Sequence, residues 1–469
     1  MTAASAAGGL WTTRLAAAWL ALVAAACAYL WLSGGWFHIE LLHVSEYVRG
    51  RGLRTVFDWN VFDVNPARLR PLSDLLEVLD AMLRPRTAWL FGLHPSLSVS
   101  AIALAVFSAW FFFRAMTKMG LTRAESCVAT ALFISTIAYL SCFIPYIRPA
   151  KRLAMLGLCV LLDLAFSYRR EKSDRTLAWL CGTLFLTFFA DEAGWVLWPV
   201  FLLFLAPELD RRRIAAYFAL PVAYLVVAKV LLPPIYGLLG GSGPRSGVIA
   251  SSMVADRLAS FLRPDFYAIA AENLGRTVAA SFGTLTIPPA IPIAVLVAAF
   301  GVAVWRRQWV LLAALLSIVG QSFFFSMIDT VNTTPNYIGQ WTYYYDTPVA
   351  VLSLVAAASA YLWLRRSHPR WGVVAGATVV LLCALNLKNF ERANEVVRII
   401  HTYPLAELKP RRFDPDGLAA RFEVLLREGG YPYADAFRKQ FAYYREHPMG
   451  DATYADRLEA TYKKRLVAK

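Results

Sequence analysis

The loop from Ser33 to Arg86 is rich in acids, arginines and aromatic residues, although apolar runs lie on both sides of it. It contains the carboxylates Glu46, Asp58 and Asp63, followed by Arg70. A carboxylate can take a proton from a reacting hydroxyl, and a guanidinium group can hold an anion. We therefore interpret this loop as the wall and floor of an active site.

Two later turns also carry charges next to apolar sequence, where charges are costly and usually functional or paired. One turn contains Arg148, Lys151 and Arg152, and the other, in FFADEAGWVLWP, contains Asp191 and Glu192 at the mouth of a hairpin of two short helices. The cations are suited to binding a phosphate, and the acids to shaping the same site. Alternatively, the acids form salt bridges to Arg148 or Arg152 and only hold the two turns together. The residues leave both interpretations open.

The composition places these groups on a membrane protein. Of the 469 residues, 58% are hydrophobic and 17% are charged, and apolar runs of spanning length recur along the chain. The net charge of +15 fits loops that face anionic lipid headgroups, so we set nucleic acid aside as a partner. The six cysteines form no CxxC pair and the six histidines are scattered, so we expect no metal and no cofactor.

The apolar runs predict an all-α, polytopic fold with about eleven transmembrane helices, because lipid leaves open strand edges without partners. The fourth to sixth runs are short for a span. The predicted spans are about 15–32, 96–113, 126–144, 153–167, 177–190, 194–207, 214–232, 286–305, 309–327, 347–364 and 371–387.

Basic residues in the short loops predict the orientation, because such loops stay in the cytoplasm. They place the N-terminus in the cytoplasm and the first loop (33–95) outside, in a bacterial inner membrane. The turn with Arg148 is then basic although it lies outside, and a bound phosphate would explain this. The loop residues on the predicted cytoplasmic side include Arg114, Lys118, Arg123, Arg211, Arg212, Arg213, Arg306, Arg307, Arg365 and Arg366.

Within the first loop, Leu76, Val78, Leu79 and Met82 alternate with acids such as Glu77 and Asp80 in a helical pattern. The pattern predicts interfacial helices that lie on the bilayer with their ionisable groups in water.

Two later segments complete the predicted organisation. In the loop after the ninth span, Trp341, Tyr343 and Tyr344 are candidates for stacking on sugar faces, although aromatic belts at membrane interfaces need no ligand. After the membrane domain, 1–389, the residues 390–469 are more polar and show helical spacing. We expect a small helical periplasmic segment there.

The order of motifs resembles the GT-C glycosyltransferases, most closely the protein O-mannosyltransferase branch with tetratricopeptide repeats and its bacterial relatives. The resemblance covers about the first half of the chain. The motifs are an acid followed by tyrosine (Glu46 and Tyr47), RPLS, FGLHPSLS with His94, IRPAKRLAML and ADEAGW. The chain departs from the family at Ser45, where the family has an acid, and at Asp191, where it has lysine.

This resemblance implies transfer of a sugar from a polyprenyl-phosphate donor to a glycan, lipid or protein hydroxyl on the periplasmic face, with inversion. Glu46, Asp58 and Asp63 are the candidate bases, and Arg70, Arg148, Lys151 and Arg152 are the candidate phosphate ligands. Asp191, Glu192 and His94 would shape the site.

Two other functions stay open. A lipid or polysaccharide transporter or flippase would favour repeated halves and charges at the membrane midplane, whereas here only Asp163 and Lys229 depart from the surface. An O-antigen ligase type enzyme would place key arginine and histidine residues in a late loop, and the late loop here has no histidine.

Overall fold

The computed structural model of the chain describes residues 12–34, 48, 50–57, 70–91, 99–143, 149–191, 193–239, 259–283, 287–326, 347–367 and 371–401. Every regular element within these ranges is a helix. The predicted all-α fold is therefore confirmed for the described part of the chain. The predicted C-terminal segment lies almost entirely outside it.

The helices are numbered here in chain order. A 3-10 helix, Gly52–Phe57, precedes α2, and a π-helical turn, Val227–Leu231, joins α9 to α10. The bounds are α1 Thr13–Gly34, α2 Pro71–Phe91, α3 Val99–Met119, α4 Arg123–Ser135, α5 Ile137–Cys142, α6 Pro149–Glu171, α7 Asp174–Ala190, α8 Ala193–Leu205, α9 Arg211–Val226, α10 Leu232–Leu238, α11 Pro264–Ser281, α12 Ala290–Trp305, α13 Trp309–Ser326, α14 Thr347–Ser367 and α15 Trp371–His401.

Each predicted apolar run coincides with helix, but the runs do not all form helices of the predicted length. The third run is divided at Thr136, and the fourth corresponds to α6, which has 23 residues and is not short. The helices α7 and α8, with 17 and 13 residues, are as short as predicted. Helix length alone therefore does not identify the spans.

Four described helices are long and apolar enough to cross a membrane, which indicates a membrane protein. They cover Thr13–Leu30, Val99–Met119, Pro348–Arg366 and Trp371–Phe390. Shorter apolar helices cover Gly194–Glu208, Ala290–Trp305 and Trp309–Phe324.

α6 is the central helix of the bundle. It packs against α3, α7, α8 and α2, and most of its side chains up to Tyr168 are buried. Next to it, the rings of Phe112 and Phe133 stack with their centroids 4.3 Å apart. The Tyr139 hydroxyl donates to the carbonyl oxygen of Ala105 over 2.8 Å. The contacts of α6 with α2, α3, α7 and α8 position its first turn, where two of the predicted phosphate ligands lie.

Ion pairs hold one end of the bundle. The buried carboxylate of Asp163 on α6 lies 2.7 Å from Lys118 and 3.2 Å from Arg114, both on α3. Glu125, in the first turn of α4, pairs with Arg365 near the end of α14. We call this end, where α3, α6 and α14 finish, the basic end, and the opposite one the α2 end. Because Asp163 is paired close to the basic end, it adds no isolated charge to the middle of the bundle.

α2 turns its acids toward the protein interior. Glu77 is 3% exposed and Asp80 is 6% exposed, so the prediction that they face water is wrong. The reason is that cations on α6 face this side of α2, and a buried carboxylate is stable only when it is paired. The outward side carries the partly exposed apolar residues Leu75, Leu79, Met82 and Leu83.

Candidate active site

The structure describes four of the predicted site residues, and all four lie at the α2 end of the bundle. They are Arg70, Lys151, Arg152 and Asp191. The remaining predicted site residues lie outside the described ranges: Glu46, Asp58, Asp63, His94, Arg148, Glu192, Trp341, Tyr343 and Tyr344.

Lys151 and Arg152 lie in the first turn of α6, which begins at Pro149. The unpaired N–H groups and the dipole at the start of a helix favour negative charge, and these two cations add to that preference. The two side chains leave the helix in directions about 100° apart. Lys151 therefore reaches α7, whereas Arg152 reaches α2.

Arg152 forms a buried ion pair with Asp80. Its Nη1 atom lies 3.7 Å from Asp80 Oδ2, and the arginine side chain is only 1% exposed. Ser100, at the start of α3, donates from its hydroxyl to the same Oδ2 atom over 2.5 Å and from its backbone N–H to Oδ1 over 3.4 Å. Glu77, one turn earlier on α2, is close enough for its charge to act on Arg152. Three helices thus meet around one guanidinium group.

Lys151 pairs with Asp191, which follows the last residue of α7. The Nζ to Oδ1 distance is 2.9 Å, and Asp191 is fully buried. The Asp191 N–H donates to the Thr187 carbonyl oxygen, and the Asp191 carbonyl oxygen accepts from the Gly194 N–H, which turns the chain from α7 into α8. The structure therefore contains a salt bridge that holds the two turns together. Its basic partner is Lys151, whereas the alternative interpretation named Arg148 or Arg152.

Arg70 lies at the other end of the buried face of α2. It is ten residues from Asp80, about 15 Å along the helix axis, and its carbonyl oxygen accepts from the Asp74 N–H. The side chain of Arg70 is buried, as are those of Ser73 and Asp74. Lys151 and Arg152 lie in one helical turn, whereas Arg70 lies at a different part of the same surface.

A buried tyrosine lies against this part of α2. Tyr236, on α10, is 2% exposed, and its ring meets the ring of Phe57 edge-on at 5.5 Å. Burial, and after it the negative charge of Asp74, raises the pKa of the Tyr236 phenol. The phenol therefore keeps its proton near neutral pH and can act as a hydrogen-bond donor.

The described charges of this region almost balance. Three buried or partly buried cations face four buried carboxylates, and the exposed Arg54 on the neighbouring 3-10 helix adds one more positive charge. An anionic ligand at Lys151 or Arg152 would compete with the carboxylate that is paired there. The groups counted are Arg70, Lys151 and Arg152 against Asp74, Glu77, Asp80 and Asp191.

Sequence reasoning missed five residues of this region: Asp74, Glu77, Asp80, Ser100 and Tyr236. The spacing of the three acids by three residues shows that they share one face of a helix. It does not show whether that face points into the protein, since this depends on cations about 70 residues later in the chain. No sequence pattern assigns Ser100 or Tyr236 to this region.

Comparison with known proteins does not place the chain in a family. The chain matches no protein-family model, and no curated protein is significantly similar to it in sequence. Among the described residues, no group of three or more His, Cys, Asp or Glu side chains is arranged to hold a metal ion.

Proposed function

We propose that this chain is a multipass membrane glycosyltransferase of the GT-C type, which moves a sugar from a polyprenyl-phosphate donor to an acceptor hydroxyl. The observation that carries the proposal is a pair of buried contacts at the start of α6, where Lys151 meets Asp191 after α7 and Arg152 meets Asp80 on α2. Sugar transfer from a lipid phosphate needs both kinds of group, one for the acceptor proton and the other for the leaving phosphate.

The first turn of α6 would bind the donor phosphate. Lys151 and Arg152 supply charge-assisted hydrogen bonds, and the α6 N-terminus adds a dipole of the right sign. These cations are paired with Asp191 and Asp80. The donor phosphate would replace the carboxylate partner of one of these two cations. Breaking that ion pair would therefore make the net free energy of donor binding less favourable.

A carboxylate of the first loop would act as the base. It takes the proton of the acceptor hydroxyl while the acceptor oxygen bonds to the anomeric carbon, and the bond to the phosphate breaks with its electron pair on the phosphate. A single displacement of this kind inverts the anomeric centre. Glu46, Asp58 and Asp63 remain the proposed bases. The acids on α2 serve mainly as partners of the cations.

The proposed topology has about eleven crossings of a bacterial inner membrane, with the N-terminus in the cytoplasm and the 390–469 segment in the periplasm. The clustering of basic residues at the end of the bundle opposite α2 supports it. The α2 end would then face the periplasm, where Trp341, Tyr343 and Tyr344 would contact the sugar.

Mass spectrometry of the lipids that copurify with the full chain tests this function. We expect a polyprenyl-phosphate sugar with the wild type, a lower yield of that lipid with Arg152→Gln, and an unchanged yield with the control Arg276→Gln, whose partner Glu272 lies on the exposed side of α11. The same membranes should transfer the sugar to an acceptor. A copurifying prenyl lipid without transfer would favour a flippase, and absence of any prenyl lipid would contradict the proposal.

A further inference from the structure

Tyr236 is one of two buried tyrosines, with Tyr168, whose hydroxyl lacks a hydrogen-bond partner in the described part of the chain. The Tyr236 side chain is 2% exposed. Two other buried tyrosines, Tyr139 and Tyr217, donate to backbone carbonyl oxygens over 2.8 Å. Burying a hydroxyl without a partner costs stability, because the group loses its hydrogen bonds to water. A phenylalanine at position 236 would avoid this cost, so the presence of the hydroxyl indicates a role beyond packing.

The surroundings of Tyr236 indicate a ligand that contains hydroxyl groups. The phenol offers a donor, and the carboxylate of Asp74, whose charge acts on the phenol, offers acceptor sites. A sugar hydroxyl is both a donor and an acceptor, so it can use both groups at once. The edge contact with Phe57 fixes the tyrosine ring.

The position of this pair relative to the phosphate ligands is also suitable. Asp74 and Asp80 are both buried side chains of α2, six residues and about 9 Å apart along the axis. Asp80 forms an ion pair with Arg152, whereas Asp74 is close enough to Tyr236 for its charge to act on the phenol. A sugar attached to a phosphate at the first turn of α6 would therefore extend along α2 toward Tyr236.

We propose that Tyr236 and Asp74 form a subsite that binds carbohydrate hydroxyl groups, with the tyrosine as donor and the carboxylate as acceptor. This inference rests on the proposed glycosyltransferase function. It extends that function because it assigns sugar recognition to α10 and to the first turn of α2. The bound hydroxyl belongs either to the donor sugar or to a sugar of the acceptor.

Thermal unfolding of the full chain in lipid nanodiscs separates the two proposals. The probes are undecaprenyl phosphate alone and undecaprenyl phosphate carrying glucose, mannose, galactose or arabinose. Undecaprenyl phosphate should raise the unfolding temperature of the wild type and of Tyr236→Phe equally, since it tests only the phosphate ligands. No shift of the wild type with any of these lipids would contradict the proposed function, and the subsite would fall with it.

The sugar-bearing lipids test the subsite itself. At least one should stabilise the wild type further, and Tyr236→Phe should lose most of this additional shift, with binding weakened about 3- to 10-fold. Its unfolding temperature without lipid should be unchanged or higher, since an unpaired hydroxyl is removed. Tyr168→Phe is the matched control, because Tyr168 also has a buried hydroxyl without a partner in the described residues but lies near the basic end.

Transfer kinetics distinguish the source of the hydroxyl. If Tyr236→Phe loses the additional rise in unfolding temperature given by a sugar-bearing lipid, the subsite binds the donor sugar. If that rise is intact but the KM for the acceptor is higher, the subsite binds a sugar of the acceptor. If Tyr236→Phe does not fold, Asp74→Asn serves for the same comparison. Full sugar-dependent stabilisation together with an unchanged acceptor KM would overturn the inference, and so would a wild type that gains no stability from any of the sugars.

Discussion

The Nη1 atom of Arg152 lies 3.7 Å from Asp80 Oδ2, and the two side chains are 1% and 6% exposed. This pair joins α2, which belongs to the first predicted outer loop, to the central helix α6. Since neither group reaches water, each depends on the other for compensation of its charge. The loop that carries the proposed base is thereby fixed to the turn that would bind the phosphate.

This pair should be strongly coupled. Asp80→Asn leaves the Arg152 guanidinium with one carboxylate fewer, and we expect it to lower the free energy of unfolding by about 3 kcal/mol. In a double-mutant cycle with Arg152→Met, the two losses should differ from additivity by about 0.5–3 kcal/mol. Unfolding of the detergent-solubilised protein, followed by tryptophan fluorescence, measures both. Strictly additive losses would show that the two residues do not interact.

The hairpin between α7 and α8 should tolerate no side chain at Gly194. A Cβ atom there would lie 2.8 Å from backbone atoms of Thr187 and Phe188. We expect Gly194→Ala to cost about 1–3 kcal/mol of stability. Because the hairpin holds Asp191 against Lys151, the variant should also bind the donor lipid less well. Thermal unfolding and the yield of copurified lipid measure the two effects.

Gly182→Ala on α7 is the control, since a Cβ atom there meets nothing within 4 Å. Its stability should be unchanged or higher by up to about 1 kcal/mol, as alanine favours helix more than glycine does. Equal losses of stability in Gly194→Ala and Gly182→Ala would mean that the close contact at Gly194 does not cause the destabilisation.

The positions of the helices could be predicted from the sequence because apolar runs of this length have few alternatives in a chain of this composition. The division of the third run at Thr136 could not. It depends on a local bond, in which the Thr136 hydroxyl donates to the Phe133 carbonyl oxygen over 2.8 Å, and no glycine or proline marks it.

The candidate site was predicted less completely than the helices. An ion pair between the two charged turns was one of two interpretations that the sequence left open, and whether Lys151 or Arg152 meets Asp191 depends on the rotation of α6. That rotation is set by packing along the whole helix. The rotation of α2 also depends on packing. Its sequence pattern therefore defined two faces without showing that the carboxylates of Glu77 and Asp80 point inward.

Labelling with a membrane-impermeant thiol reagent should establish the orientation. Arg54, beside α2, and Arg211, at the start of α9, are both exposed and lie at opposite ends of the bundle. In intact cells, Arg54→Cys should react from outside and Arg211→Cys should react only after the membrane is opened. Five of the six native cysteines are buried and the sixth is partly buried, so the unmodified chain provides a low background. The reverse labelling pattern would invert the proposed topology.

The base should be Glu46. It follows the first predicted span closely, so the chain there is still near the membrane surface that carries the donor phosphate, and with Tyr47 it matches the acid and aromatic pair of the resembled family. Glu46→Gln keeps the size of the side chain and removes the proton acceptor. We expect the rate to fall by about a hundredfold or more, with donor binding and unfolding temperature unchanged.

Variants of the other acids show whether this assignment is right, because a base and a structural partner differ in their effect on stability. Asp58→Asn and Asp63→Asn should retain activity, whereas Asp80→Asn should lose stability together with activity, since Asp80 is bound to Arg152 and Ser100. The pH–rate profile adds a second criterion: the acidic limb should disappear only in Glu46→Gln. Near-normal turnover of Glu46→Gln, with one Asp variant inactive but fully stable, would move the base to that aspartate.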